Sequence, residues 1–224
     1  MADFATSEKD KLELYKIIIG SVVPRPIAFV ATMGKDGVAN LSPFSFFNGV
    51  TYNPPTLAFS VLDRGSEMKD TSRNISANPE FIVHIVSESI SEKMNVTCGD
   101  YGAHVDEFVE AGFTAVPGTV VEVPRVAEAM VAMECRLMHH IRIGEGTPQT
   151  SHILGEVVYW HVDEKVLTET GRIDSKVLQA VGRMGGNDYT RTADQFTMER
   201  PVIPAEDPRS IAAYQASLAR PPQK

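Results

Sequence analysis

Residues 24–48 read PRPIAFVATMGKDGVANLSPFSFFN. Pro24 and Pro26 hold the backbone around Arg25 extended, because proline fixes its own φ and pushes its predecessor out of the helical region. Ile27–Thr32 is a compact apolar run and Val38–Ser42 is a second one. Between them, Gly34-Lys35-Asp36-Gly37 is a turn. Asp-Gly between two apolar runs is a hairpin signal, since the turn type that matches strand twist needs positive φ. The stretch therefore sets a β-rich reading for the chain.

Downstream the same signals recur. Asn53-Pro54-Pro55 is a turn, Thr56–Val61 a third strand, and Phe81–Val86 a fourth, rich in β-branched and aromatic residues. Val120–Val126, Met130–Ile143 and His152–Val162 also have strand character. In Met130–Ile143, Met133, Cys135 and Leu137 alternate with Glu134 and Arg136, which predicts a half-buried strand with both charges outward. Helices are predicted at the periphery. One runs from Ser7 to about Ile19, with Asp10 three residues into a weak capping box. Others cover Ser87–Val96, Val105–Ala111 with Gly112 as the residue past its end, and Asp174–Val181. The last starts at Asp207-Pro208 and runs through Leu218 in a proline-rich tail. Tight turns, many strands and peripheral helices point to a closed barrel with helical decoration.

Composition narrows the function. Among 224 residues, 43% are hydrophobic and 22% charged, enough for one packed domain. A net charge of −8, from 21 basic and 29 acidic side chains, argues against phosphate-backbone binding to nucleic acid. The polar N-terminus lacks the apolar segment of a signal peptide, and no apolar run is long enough for a bilayer. Cys98 and Cys135 form no CxxC pair, so zinc-ribbon and iron–sulfur chemistry is not indicated and a reduced, cytoplasmic chain is expected. There is no GxSxG elbow, and none of the six histidines falls in an HExxH spacing.

Three stretches can carry chemistry. Asn40–Asn48 alternates small polar side chains with aromatic rings, the surface that a flat heterocycle with a hydrogen-bonding edge requires. By itself it is better read as a strand end with core aromatics. Lys69-Asp70-Thr71-Ser72-Arg73-Asn74 places Asp70 or Thr71 at a helix start, where free N–H groups and the helix dipole favour an anion. By itself it is better read as a capped surface helix with solvated charges. Gly182-Arg183-Met184-Gly185-Gly186-Asn187-Asp188-Tyr189 offers close backbone approach, a cation and a ring. Its glycine spacing is not a dinucleotide fingerprint, and the stretch is equally a loop after a helix.

With these stretches in this order, the chain resembles the flavin reductase-like family of FMN-binding split-barrel proteins. It looks closest to the branch of flavoredoxins and reductase components of two-component monooxygenases. The pieces that carry the resemblance are PRPIAFVAT, DGVANLSPFSFFNGVTYNPPTLAFSV, KDTSRNI, FIVHIV, VDEFVEAG, LGEVVYWHVDEKVL and GRMGGNDY, over most of residues 22–190. The resemblance implies a mainly β fold with peripheral helices: a six-stranded Greek-key split β-barrel over residues 22–197. It is preceded by a helical segment (1–21) and followed by a proline-rich arm with a short helix (198–224). It implies a homodimer with FMN near the interface, and NADH or NADPH as co-substrate.

Thr32, Asn40, Ser42, Pro43, Phe44, Ser45, Phe46 and Phe47 are the flavin contacts this resemblance implies. Lys69, Thr71 and Asn74 are the implied phosphate site, with Arg183 and Tyr189 as further flavin contacts. His152 is the candidate for positioning a nicotinamide, although it lies closer to Gly155 than the related pattern places its histidine. Three functions follow as expectations: a flavin reductase serving a partner monooxygenase, a flavoredoxin-like electron carrier, or a non-catalytic flavin-binding protein.

Overall fold

A computed structural model describes residues 1–218. The chain forms two compact units, Met1–Ala193 and Asp194–Lys224. In the first unit, helix α1 (Lys11–Ser21) leads into strands β1 (Ala28–Met33), β2 (Ala39–Phe44), β3 (Phe47–Tyr52) and β4 (Pro55–Leu62). Helix α2 (Asp70–Ala77), strand β5 (Glu80–Ile85) and helices α3 (Glu88–Val96) and α4 (Glu107–Glu110) follow. Short strands β6 (Ala115–Val116) and β7 (Arg125–Val126) precede the long hairpin of β8 (Val131–Ile143) and β9 (Thr150–Val162). Helix α5 (Ser175–Leu178) and the small hairpin of β10 (Val181–Arg183) and β11 (Tyr189–Arg191) close the unit.

Seven antiparallel strands form one sheet in the order β2-β1-β5-β8-β9-β4-β3. Its two end strands are neighbours in sequence, separated only by Ser45 and Phe46. A sheet whose ends are joined by two residues must curl until they meet, and Ser60 N–H donates to the Phe46 carbonyl (2.8 Å) across that joint. The architecture is a split barrel. Taken as one strand bent at Ser45–Phe46, β2 and β3 reduce the seven segments to the six expected. The bend separates Phe47–Tyr52 as a strand of its own, which the sequence reading passed over. That strand is exposed at all but Phe47, so it has no apolar alternation to betray it.

Both faces of β1 are covered. Ala28 and Val30 belong to the barrel interior with Phe44, Phe59, Phe81, Cys135 and Ile153. Phe29 and Ala31 face outward beneath Ile90 and Met94 of α3 and Phe108 of α4. This two-sided burial explains the unbroken apolar run. Phe59 stacks near Phe44 and meets Phe81 edge-on, each at 5.6 Å between ring centroids. The Phe81 ring occupies the space that a side chain at residue 155 would fill, so Gly155 in the middle of β9 is a packing requirement.

Other local expectations change. Helix α1 starts one turn later than Ser7 because Asp10 is itself the cap. Glu13 N–H donates to Asp10 Oδ1 (2.8 Å) and Asp10 N–H to Glu13 Oε2 (3.1 Å), a reciprocal capping box. Lys69, not Asp70 or Thr71, precedes the first helical residue of α2. Asp174 caps α5 as expected, but the helix stops at Leu178, because Gln179 adopts left-handed backbone (φ 47°). Val181–Arg183 is therefore a strand, and the glycine-rich stretch is the turn of a hairpin. In the 120–126 stretch only Arg125–Val126 is strand.

Glu134 does not point to solvent; it is fully buried. Its carboxylate accepts the N–H groups of Thr119 (2.6 Å), Val120 (2.7 Å) and Val121 (3.0 Å), and His161 Nε2–H at 2.6 Å.

In the second unit, helix α6 (Ile211–Leu218) begins at Ile211 rather than Pro208. The Asp207 side chain is occupied by Arg209, and the Ser210 carbonyl accepts Tyr214 N–H (3.1 Å). Pro221 and Pro222 of the expected arm lie outside the described residues. Among the described residues no helix is long and apolar enough to cross a membrane, and no cluster of His, Cys, Asp and Glu is placed to hold a metal.

Candidate functional site

The first unit carries a cleft of about 1110 Å³. One wall is β2, the end strand whose only partner is β1. Leu41 N–H turns away from β1 and donates to Glu107 Oε2 (3.1 Å). Alternate residues share that direction, so Pro43 takes a position where an N–H would find no strand partner. Ser42, Pro43, Phe44, Ser45 and Phe46 all line the cleft, with Phe46 exposed at its mouth. This wall sets the rings of Pro43, Phe44 and Phe46 beside the small hydroxyls of Ser42 and Ser45.

The second wall is the start of α2. Lys69 has no side-chain acceptor to offer, so the first-turn N–H groups carry no side-chain cap. Lys69 and Thr71 line the cleft, and Lys69 has no ion-pair partner among the described residues. Ser72, fully buried in the same turn, has a hydroxyl oxygen with no partner among the described residues, but it does not line the cleft. Asn40 Nδ2 donates to Thr71 Oγ1 (3.0 Å), which joins this wall to β2 and leaves the Thr71 O–H free to donate. Asp70 is neutralised by Arg73, with Arg64 at 4.0 Å.

The third wall is the β10–β11 hairpin. The Arg183 guanidinium lies 4.4 Å from the Tyr189 ring centroid and donates to the Gly186 carbonyl (2.6 Å). Gly186 has φ +59°, the left-handed turn that glycine permits. Burial, partly offset by the Arg183 charge, pushes the Tyr189 phenol above its ordinary pKa, so it remains a neutral ring and donor. Its hydroxyl reaches Asn95 Oδ1 (3.4 Å).

Ten of the expected residues thus meet on one cleft: Asn40, Ser42 to Phe46, Lys69, Thr71, Arg183 and Tyr189. Four do not line it. Thr32 is fully buried and accepts Asn74 Nδ2–H (3.1 Å), so these two tie β1 to α2. Asn74 faces a separate cleft of about 490 Å³, because five residues past Lys69 it stands about 140° round the helix axis. Phe47 lies beyond the bend and packs against the barrel core. His152 stands behind the wall, its Nδ1 bonded to Ser60 Oγ (2.9 Å), and only Ser60 lines the cleft.

The sequence reading also missed lining residues. Arg25 and Glu107 reach the cleft from P-R-P and from VDEFVEAG, where a charge sits among residues that pack. Glu107 is buried, which raises its carboxyl above the usual range against the pull of Leu41 N–H. Tyr15 and Ile18 of α1 and Asn95 and Cys98 near the end of α3 also line the cleft. Nothing in their local pattern separates them from ordinary helix surface.

Residues 19–178 match the family described as flavin reductase like domain. An uncharacterized protein of Halalkalibacterium halodurans is 40% identical over 194 residues, spanning 85% of this chain and 92% of its own. The crystal structure of nitrilotriacetate monooxygenase component B from Bacillus cereus superposes with a TM-score of 0.85 at 38% identity, covering 88% of this chain and 98% of that one. The 2-nitrobenzoate 2-nitroreductase of Pseudomonas fluorescens gives 0.82 at 33% identity, covering 92% and 100%.

Proposed function

The chain belongs to the flavin reductase-like domain family, and we propose that it is an FMN-dependent oxidoreductase that draws hydride from NADH or NADPH and supplies reduced flavin to a partner monooxygenase. The observation that carries this reading is the convergence of three unlike walls on one cleft: a flat apolar strand edge, a bare helix start beside Lys69, and a cation held over a ring. FMN fits these residues. Lys69, free of any ion pair among the described residues, and the uncapped α2 N–H groups match a terminal phosphate, and the β2 wall matches an isoalloxazine.

Bound there, FMN supplies a two-electron acceptor for hydride from a dihydronicotinamide. The chain supplies position and charge. Lys69, the Thr71 hydroxyl and the α2 N–H groups hold the phosphate; Ser42 and Ser45 address the polar edge of the ring. Phe44 and Phe46 would help keep water from the ring, and the Arg183 guanidinium would add positive charge to its surroundings. The reaction calls for no general base. The reading includes a cytoplasmic location and a homodimer, the latter supported by the exposed apolar side chains Leu12 and Ile18 of α1, Val22 just past it, and Phe46. Sedimentation checks this part: a monomer that still carried FMN at micromolar concentration would remove it.

The main test pairs binding with reduction. FMN should bind more tightly than riboflavin, and Lys69→Ala should weaken FMN by about 1.5–3 kcal/mol, the range for a charged hydrogen bond, while leaving riboflavin unchanged. Equal affinity of the wild type for both flavins would sink the phosphate assignment. Anaerobic NADH or NADPH should then bleach the bound flavin. Flavin that only a protein donor bleaches would move the chain to the electron carriers, and flavin that neither donor reduces would leave a binding protein.

A further inference from the structure

We propose that Arg25 is the positioning residue of the cleft: one buried guanidinium holds three separate pieces of its wall in register. This inference rests on the flavin-binding reading above. Arg25 is only 4% exposed, and its guanidinium donates to main-chain carbonyls that belong to different elements. Nη1 donates to the carbonyls of Ile19 (2.5 Å) and Val22 (2.7 Å) at the end of α1. Nη2 donates to the carbonyl of Met184 (2.8 Å) in the β10–β11 hairpin, and Nε lies 3.4 Å from Ser45 Oγ at the β2–β3 bend. The main chain adds a second tie: Arg25 N–H donates to the Arg183 carbonyl (3.0 Å) and Arg183 N–H to that of Arg25 (2.8 Å).

Helix α1 shows why this matters. None of its residues is buried, so apolar packing does not fix it, yet Tyr15, Ile18 and Ile19 line the cleft. The carbonyls at a helix end lack intrahelical donors and carry the negative end of its dipole. Arg25 satisfies two of them with a cation and with the same planar group reaches the hairpin that carries Arg183 and Tyr189. A lysine ammonium is a point donor on a flexible stem and cannot hold carbonyls on opposite sides in one fixed fork. Gly182 packs against Pro24 and Thr190, so the hairpin is seated on the Pro24-Arg25-Pro26 segment itself.

The test is FMN titration and hydrogen exchange on wild type and Arg25→Lys, with Arg25→Gln as the second variant. In folded Arg25→Lys, the Kd for FMN should rise at least tenfold, while the reduction rate at saturating FMN stays within about threefold of wild type. Exchange should quicken together at the Val22 and Asp188 amides, with the barrel strands unchanged. A Kd within twofold of wild type, or loosening spread evenly through the barrel, would overturn the proposal. If neither variant folds, wild type decides: FMN must protect the Val22 and Asp188 amides together, and protection of one without the other defeats it. If wild type binds no FMN, the functional reading has failed on its own. Exchange in Arg25→Lys then still judges the tie between α1 and the hairpin.

Discussion

Replacing Glu134 by alanine is expected to cost about 3–5 kcal/mol of stability, the range for removing one partner of a buried charge network. Three consecutive N–H groups and one imidazole converge on its two oxygens. Burial alone would raise its pKa; the His161 bond, then those from Thr119, Val120 and Val121, outweigh that and hold it below the usual carboxylate range. The carboxylate pins the loop from Thr119 to Val121 onto β8, and alanine leaves all four donors unmatched. Glu134→Gln keeps the shape but turns an NH2 toward donors, so it should recover only part of the loss. Urea unfolding measures both: the midpoint should fall with little change in slope. A Glu134→Ala protein within 1 kcal/mol of wild type would show that water reaches this clamp.

Acid should destabilise the protein through His84. This ring is fully buried, and its pKa is lowered to about 4, chiefly by burial and further by the Arg125 and His161 charges, against the pull of the Phe29 carbonyl. Nδ1 lies 2.9 Å from that carbonyl and Nε2 accepts Val126 N–H at 2.9 Å, so the partners dictate one neutral tautomer. A second proton would have to displace the Val126 bond. The unfolded chain takes up that proton near pH 6.5, and the native protein only near pH 4. The stability that depends on this ring is therefore complete above pH 6.5 and is lost as pH falls toward 4. The loss reaches about 3 kcal/mol over the window, at up to about 1.4 kcal/mol per pH unit. Unfolding free energies from pH 7.5 to 4, for wild type and His84→Gln, isolate this residue by difference. Parallel profiles would refute the assignment.

The fold was legible where burial follows the local pattern. β1, β4, β5 and β9 announced themselves because their apolar residues face a core, and the Asp36-Gly37 turn fixed the first hairpin. What escaped was decided at a distance. Phe47–Tyr52 is a strand because Ser45–Phe46 bends the chain at the barrel seam, and its own residues face solvent. Glu134 looked outward-facing because alternation cannot foresee a loop returning from Thr119 with bare N–H groups. The site was legible on the same terms. Asn40–Phe46 and Lys69–Thr71 hold their contacts within short stretches. Asn74 and Thr32 have the right polarity, but the packing of α2 on β1 spends it on the hydrogen bond between them. Arg25 was hidden because its partners, Ile19, Ser45 and Met184, are brought together only by the finished topology.

The scatter of the cleft along the chain bears on the lifetime of the molecule. Its lining comes from α1, β2, the start of α2, the end of α3 and the β10–β11 hairpin, from residue 11 to residue 189. No half-folded chain assembles these pieces, so a ligand that fills them binds the native state alone. At a free concentration a hundred times its Kd, such a ligand adds about 2.7 kcal/mol to unfolding. That is about a hundredfold fewer globally unfolded copies for a protease to find. With the flavin proposed above as that ligand, the unfolded fraction is expected to rise as flavin becomes scarce, which protease susceptibility measured with and without FMN checks.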